Sequence, residues 1–169
     1  MVQGRTAMME AEPAFLFDLT DLHLGAGTGP LTGINRVGLA YLEALLAQPA
    51  PVFGHVTLRS QVLLLDRPAL QAYVQHLQKR DATGPIWWRA RLLEWGNLPR
   101  ARSLTFLHGA AFAKCRTRNL SRVLTKLMPA GAVWIAIGHA NVNRGFLARL
   151  SQVAGLRIAL MIHDTIQID

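Results

Sequence analysis

The sequence predicts a doubly wound α/β domain with a mainly parallel, Rossmann-like sheet, and three observations carry the prediction. The last third reads as strand, helix, strand. AVWIAIGH (Ala132 to His139) and LRIALMIHD (Leu156 to Asp164) are apolar runs, and RGFLARLSQVA (Arg144 to Ala154) between them is a helix closed by Gly155. In such a βαβ unit the crossover returns the chain to the same end of the sheet, so the two strands are parallel. Both runs lack polar alternation, as expected when helices cover both faces of a sheet. Finally, 169 residues with 51% hydrophobic and 17% charged side chains suit one domain with a sizeable core and are too apolar for a disordered tail.

The remaining elements follow in chain order. Residues 1–13 are mixed and end in Pro13, a flexible lead; a single domain is expected over 14–169. AFLFDLT (Ala14 to Thr20) is a short apolar run of strand length. HLGAGTGPLTG gathers Gly25, Gly27, Gly29, Pro30 and Gly33 into one loop. Ile34, Val37, Tyr41, Leu42 and Leu45 then recur at three and four, marking a helix that runs to about Gln48 and is stopped by Pro49 and Pro51. PVFGHVTL and QVLLL read as strands or a hairpin, followed by a helix from Pro68 to Gln78 with proline near its first turn. Between Arg80 and Arg102 the pattern is poor, and WWRARLLEW is its densest feature. SLTFLHG (Ser103 to Gly109) reads as a further strand, and Arg118 to Leu127 as a basic amphipathic helix.

Composition narrows the function classes. Cys115 is the only cysteine, which excludes an intrachain disulfide framework and any multi-cysteine zinc site and suits a reducing compartment. The net charge is +8, yet Lys79 to Lys126 alone holds eleven basic residues against Asp81 and Glu94. The cationic character therefore belongs to one middle segment and points to a local anionic partner. FLF at Phe15 to Phe17 is too short for a signal-peptide core. The longest stretch without a charged residue, Leu127 to Asn143, contains Pro129, His139 and two asparagines and does not span a bilayer. A soluble or peripheral protein is expected.

In doubly wound sheets the ligand crevice lies beyond the carboxyl ends of the strands. Three motifs fall there: the glycine loop after Thr20, the turn GHANVNR, and HDTIQID. Gly29, Thr32, Gly33, Asn35 and Arg36 stand where a loop enters a helix, a place where backbone N–H groups meet an anion. The dinucleotide pattern GxGxxG fails here because Pro30 or Thr32 occupies its last glycine, and GxxxxGK[ST] fits no glycine. The alternative is a turn whose glycines supply positive φ, with Thr32 as helix cap. His163 can donate to a ligand oxygen or act as a general base, and Asp164 can orient a loop or hold a sugar hydroxyl; a structural histidine at a strand end is the alternative. His139 with Asn141 and Asn143 forms a second polar strand end, which turn chemistry explains equally well.

No serine sits in a GxSxG elbow, the carboxylates are too scattered for a glycosidase pair, and no metal site is expected from His108, His139 and His163, which whole elements separate. Trp87 and Trp88 beside Arg89 and Arg91 suit a peripheral contact with an anionic membrane; a solvated basic face over core tryptophans is the alternative. Nucleic acid ranks below both, since no reader motif accompanies the charge.

FDLTDL, TGINRVGLAYLEALL, GAVWIAIGHANVNR and LRIALMIHDTIQID, in that order and spacing, resemble the N-terminal half of bacterial family-4-like glycosyltransferases of GT-B fold. The match covers both ends of the chain and is poor from about Pro51 to Arg116. The resemblance implies retaining transfer of a sugar from a nucleotide-sugar donor to a glycan or lipid-linked acceptor, in the assembly of a surface polysaccharide or glycolipid at the cytoplasmic face of the membrane. No cofactor is implied. It places Gly33, Ile34, Asn35 and Arg36 at the interdomain cleft and His163 where the family's strand-end histidine approaches the donor sugar, with Asp164 completing the HD pair. Gln167 stands where the family carries proline. The sequence ends at Asp169, ahead of the donor-binding half with its ExxxxxxxE motif, so a fragment, or a C-terminal half on another chain, is expected, and this chain alone should lack full transferase activity. The competing expectation is non-enzymatic: a basic α/β module that binds polyanions or a partner chain through Lys79 to Lys126. An inactive remnant is a third.

Overall fold

The computed structural model describes residues 13–26, 33–78 and 85–161. It is an α/β fold around one six-stranded mixed sheet. The strands are β1 (Phe15–Asp18), β2 (Val52–Leu58), β3 (Gln61–Leu65), β4 (Ala113–Arg116), β5 (Val133–Ala136) and β6 (Arg157–Leu160), in the spatial order β4-β3-β2-β1-β5-β6. β2, β1, β5 and β6 run parallel, while β3 and β4 add an antiparallel edge.

The helices are α1 (Thr20–Gly25), α2 (Gly33–Leu46), α3 (Arg67–Gln78), α4 (Trp88–Leu93), α5 (Leu98–Ala110), α6 (Leu120–Leu127) and α7 (Arg144–Leu150). They cover both sheet faces, as the missing polar alternation predicts. One core joins Phe17, Val52 and Leu63 of the sheet to Leu42 of α2, Tyr73 of α3 and Leu104 of α5. The other joins Leu16, Leu64 and Trp134 to Leu124 of α6 and Phe146 of α7.

Strand order and helix placement together locate the crevice. From β1 the chain crosses through α2 to β2 on one side, and from β5 it crosses through α7 to β6 on the other. α2 and α7 lie on opposite faces, which is what right-handed crossovers running in opposite directions require. The direction of winding reverses between β1 and β5, and their carboxyl ends flank the topological switch point.

Several local expectations need correction. SLTFLHG is not a strand but the middle of α5, where Asn97 Oδ1 accepts the N–H of Arg100 at 2.9 Å and Pro99 occupies the first turn. Ala101, Leu104 and Leu107 are buried at intervals of three, a helical period that a seven-residue apolar window hides. Thr20–Gly25, assigned to strand and loop, forms the short helix α1, and β4 lies in a stretch given no element. Tryptophans 87 and 88 part company: Trp87 is half-buried against the core, whereas Trp88 is exposed. All four residues of β6 are exposed, although their apolar composition suits a strand covered on both faces.

Candidate functional site

The polar residues at the switch point arise from the way β1 ends. Asp18 closes the strand, and its Oδ1 accepts the N–H of Thr20 at 2.9 Å, a short side-chain turn that directs the chain into α1. Its Oδ2 accepts from Asn141 Nδ2 at 2.8 Å, and the same nitrogen lies 2.8 Å from Thr20 Oγ1, which also receives the N–H of Thr57 at 3.0 Å. The carboxylate thus knots β1, the start of α1, β2 and the turn after β5. Asp18, Thr20 and Asn141 are all buried.

His55 packs beneath this knot. Trp134 Nε1 donates to its Nε2 at 2.7 Å, so that nitrogen carries the lone pair and the ring proton sits on Nδ1. The ring stacks on Trp134 and Phe146, and its Nε2 lies 3.8 Å from Asp18 Oδ1. Burial pushes its pKa down, with Asp18 opposing, and the imidazole stays neutral.

On the other side of Asp18 a shallow recess opens between α1, α2 and the segment after β5. Phe17, Leu22, Ile34 and Ile137 give it apolar surface, and Asp18, Asp21 and Asn35 its polar groups. Two close approaches fix its shape. Asp21 Oδ2 accepts the N–H of Ala140 at 3.0 Å, and its carboxyl packs so tightly on Gly138 that a Cβ there would collide with it. Asn35 is buried against Gly25, whose Cβ would strike the amide. The recess is shallow, far below the roughly 300–1,000 Å³ of drug-sized sites and with enclosed room for about one water molecule, so a ring would rest across its mouth. With two carboxylates, an amide and, among the described residues, no cation in its lining, it favours hydroxyl donors over phosphate.

The structure brings together some sequence candidates and separates others. Asn35 lines the recess, whereas Gly33 and Arg36 are exposed and do not. His139 follows the buried Gly138 and is itself exposed. Asn141 is a brace, because burial and its bonds to Asp18 and Thr20 occupy its amide nitrogen. Gly29, Thr32, His163 and Asp164 lie outside the described residues. Arg89 and Arg91 are exposed on α4, away from the recess. Among the described residues no group of three or more His, Cys, Asp or Glu is placed to hold a metal ion.

Asp18 and Asp21 line the recess, and sequence reasoning did not nominate them. Their signal is the string DLTD directly after an apolar strand: one carboxylate caps the turn, and the other, three residues on, faces across it.

A second buried polar cluster connects α1, α3, α4 and α5. Tyr73 OH lies 3.0 Å from Ser103 Oγ, which lies 3.1 Å from His23 Nδ1, and His23 Nε2 faces Glu94 Oε1 at 3.6 Å. Burial, helped by Arg100, lowers the His23 pKa to about 4, so the ring is neutral at physiological pH. Tyr73, Ser103 and His23 thus form a continuous polar chain that ends at Nε2, beside the Glu94 carboxylate. With His23 and Ser103 each 1% exposed, the cluster braces helices and is not open to substrate.

No helix among the described residues is long and apolar enough to cross a membrane. No protein-family model, curated protein or solved structure matches this chain.

Proposed function

We propose that the chain is the acceptor-side α/β unit of a retaining glycosyltransferase that uses a nucleotide-sugar donor in surface polysaccharide or glycolipid synthesis. The sequence motifs supply the reaction class. The observation that carries the reading is the recess at the switch point, which presents Asp18, Asp21 and Asn35 and, among the described residues, no cation. Carboxylates and amides are the acceptors that sugar hydroxyls need, and Phe17, Leu22, Ile34 and Ile137 offer the apolar wall on which a ring can pack. A departing nucleoside diphosphate needs cationic or N–H donors to stabilise its charge. Among the described residues the lining of the recess supplies no such cation. The reading places the chain on the cytoplasmic side of the membrane, in keeping with its free thiol Cys115.

Calorimetric titration tests the proposal. Oligosaccharides of the acceptor class should bind the chain, and a nucleoside diphosphate should bind more weakly. Asp21→Asn should weaken oligosaccharide binding roughly tenfold or more, since a hydrogen bond to a charged group contributes about 1.5–3 kcal/mol. A nucleoside diphosphate that outcompetes every sugar, or an unchanged affinity in Asp21→Asn, would overturn it.

A further inference from the structure

α4 is turned inside out relative to an ordinary surface helix. Ala90 is its one buried residue; opposite it, Trp88 and Leu92 stand one turn apart and are 61% and 56% exposed. Arg89 and Arg91 flank this outward stripe, with the Arg89 guanidinium 5.1 Å from the centre of the Trp88 ring. The apolar surface continues past the helix end to Trp95, at 82% exposed the most open large hydrophobic side chain described. Soluble surfaces seldom group large apolar side chains in this way, and such a group marks an interaction site.

Its charge selects the partner. Lys114 lies 3.1 Å from His108 Nδ1, whose ring packs 4.4 Å from Trp87, so a third cation stands beside the two arginines. The nearby acid, Glu94, is turned inward to His23 and Arg100. Tryptophan and leucine side chains that point outward between cations match a phospholipid interface, where indole rings settle at headgroup depth and arginines meet anionic phosphates. A nucleic-acid strand would use the cations and leave Leu92 and Leu93 without a role.

We infer that the outward face of α4, continued through Trp95, docks this chain on an anionic phospholipid bilayer. The inference stands apart from the sugar-transfer reading but extends it. Leu24, 43% exposed, lies three residues along α1 from Asp21, and Arg100 reaches across from α5 to its carbonyl at 2.8 Å. Arg100 also pairs with Glu94 just past α4 at 3.5 Å, so it ties the end of α1 to the end of α4 through α5. A lipid-linked acceptor is the substrate that this arrangement serves.

Vesicle flotation tests docking without any measurement of transfer. The intact chain is mixed with phosphatidylcholine vesicles, with and without phosphatidylglycerol. Binding only to the anionic vesicles is expected, with a blue shift in tryptophan emission on binding. Arg89→Gln with Arg91→Gln should weaken partitioning about 30-fold, from about 1 kcal/mol per basic residue at the surface. Trp88→Ser with Trp95→Ser should abolish the blue shift, because Trp134 is buried and Trp87 packs on the core. The four replaced side chains are exposed, so unchanged thermal melting accompanies these losses. Equal binding to neutral and anionic vesicles, binding to polyanions in solution but not to vesicles, or a dimer dissolved by the tryptophan replacements would each overturn the inference. Because flotation needs no sugar, loss of docking and loss of sugar binding are separately readable.

Discussion

Removing the Asn141 side chain tests whether the knot at the end of β1 is as tightly tied as its distances indicate. Asn141→Ala deletes one hydrogen bond to a buried carboxylate, 2.8 Å from Asp18 Oδ2, and one to the Thr20 hydroxyl at 2.8 Å. A bond to a charged group contributes about 1.5–3 kcal/mol and a neutral one about 0.5–1.5, so the variant should lose about 2–4.5 kcal/mol. That is a large part of the roughly 5–15 kcal/mol that holds a domain folded. With a urea dependence near 2 kcal/mol per molar, the unfolding midpoint should fall by about 1–2 M. Asn141→Asp keeps the shape and sets two carboxylates against each other, which raises the pKa of one of them in the folded state. A raised folded pKa contributes stability that is present at low pH and lost as pH rises through it. The deficit of Asn141→Asp relative to the native chain should therefore shrink on acidification. A midpoint within about 0.3 M of the native chain for Asn141→Ala, or a deficit in Asn141→Asp that ignores pH, would refute the bracing role.

Two further perturbations probe the neighbouring chemistry. The His23 pKa is depressed from 6.5 to about 4, so the unfolded chain takes up the proton first; stability is full above pH 6.5 and falls as pH drops toward 4. The loss attributable to His23 at pH 4 is about 3 kcal/mol, and His55 acts in the same direction. In a pH series of urea melts His23→Gln should flatten this fall, and an undiminished acid sensitivity would show that the ring does not titrate as described. Gly138→Ala should cost about 1–3 kcal/mol by driving a methyl group into the Asp21 carboxyl, and Asp21→Ala should recover part of that loss. Strictly additive stabilities in that pair would mean the two do not touch.

The parts of the fold that were legible in the sequence are those where one period persists. The apolar runs around Trp134 and Ile158 and the stripe through Val37 and Leu45 announce strands and a helix directly. α5 was hidden because its buried face is built from Ala101, Ser103, Leu104 and Leu107, two small and two large, with arginines interleaved. β4 was hidden for a different reason: Ala113 and Cys115 alternate with Lys114 and Arg116 over four residues only, too short a run to read, and pairing with β3 defines it. The site was half legible. The rule that ligands gather at strand carboxyl ends points to the end of the sheet where the recess lies, and Asn35 and the turn after Gly138 are there. Asp18 and Asp21 escaped notice because a carboxylate after a strand reads as turn chemistry until the segment after β5 is folded against it, 119 residues away for the Asp21–Ala140 bond.

The central claim is that the space between α1, α2 and the end of β5 receives a sugar. Amide chemical-shift mapping of the isotope-labelled chain, titrated with an acceptor oligosaccharide, addresses that claim most directly. Saturable shifts grouped at Asp21, Leu22, Asn35, Ile137 and Gly138, and reduced in Asp21→Asn, are the expected result. Saturable shifts confined to another surface, or no shift at ligand concentrations of about 10 mM, where even a Kd near 1 mM would saturate the site, would contradict it.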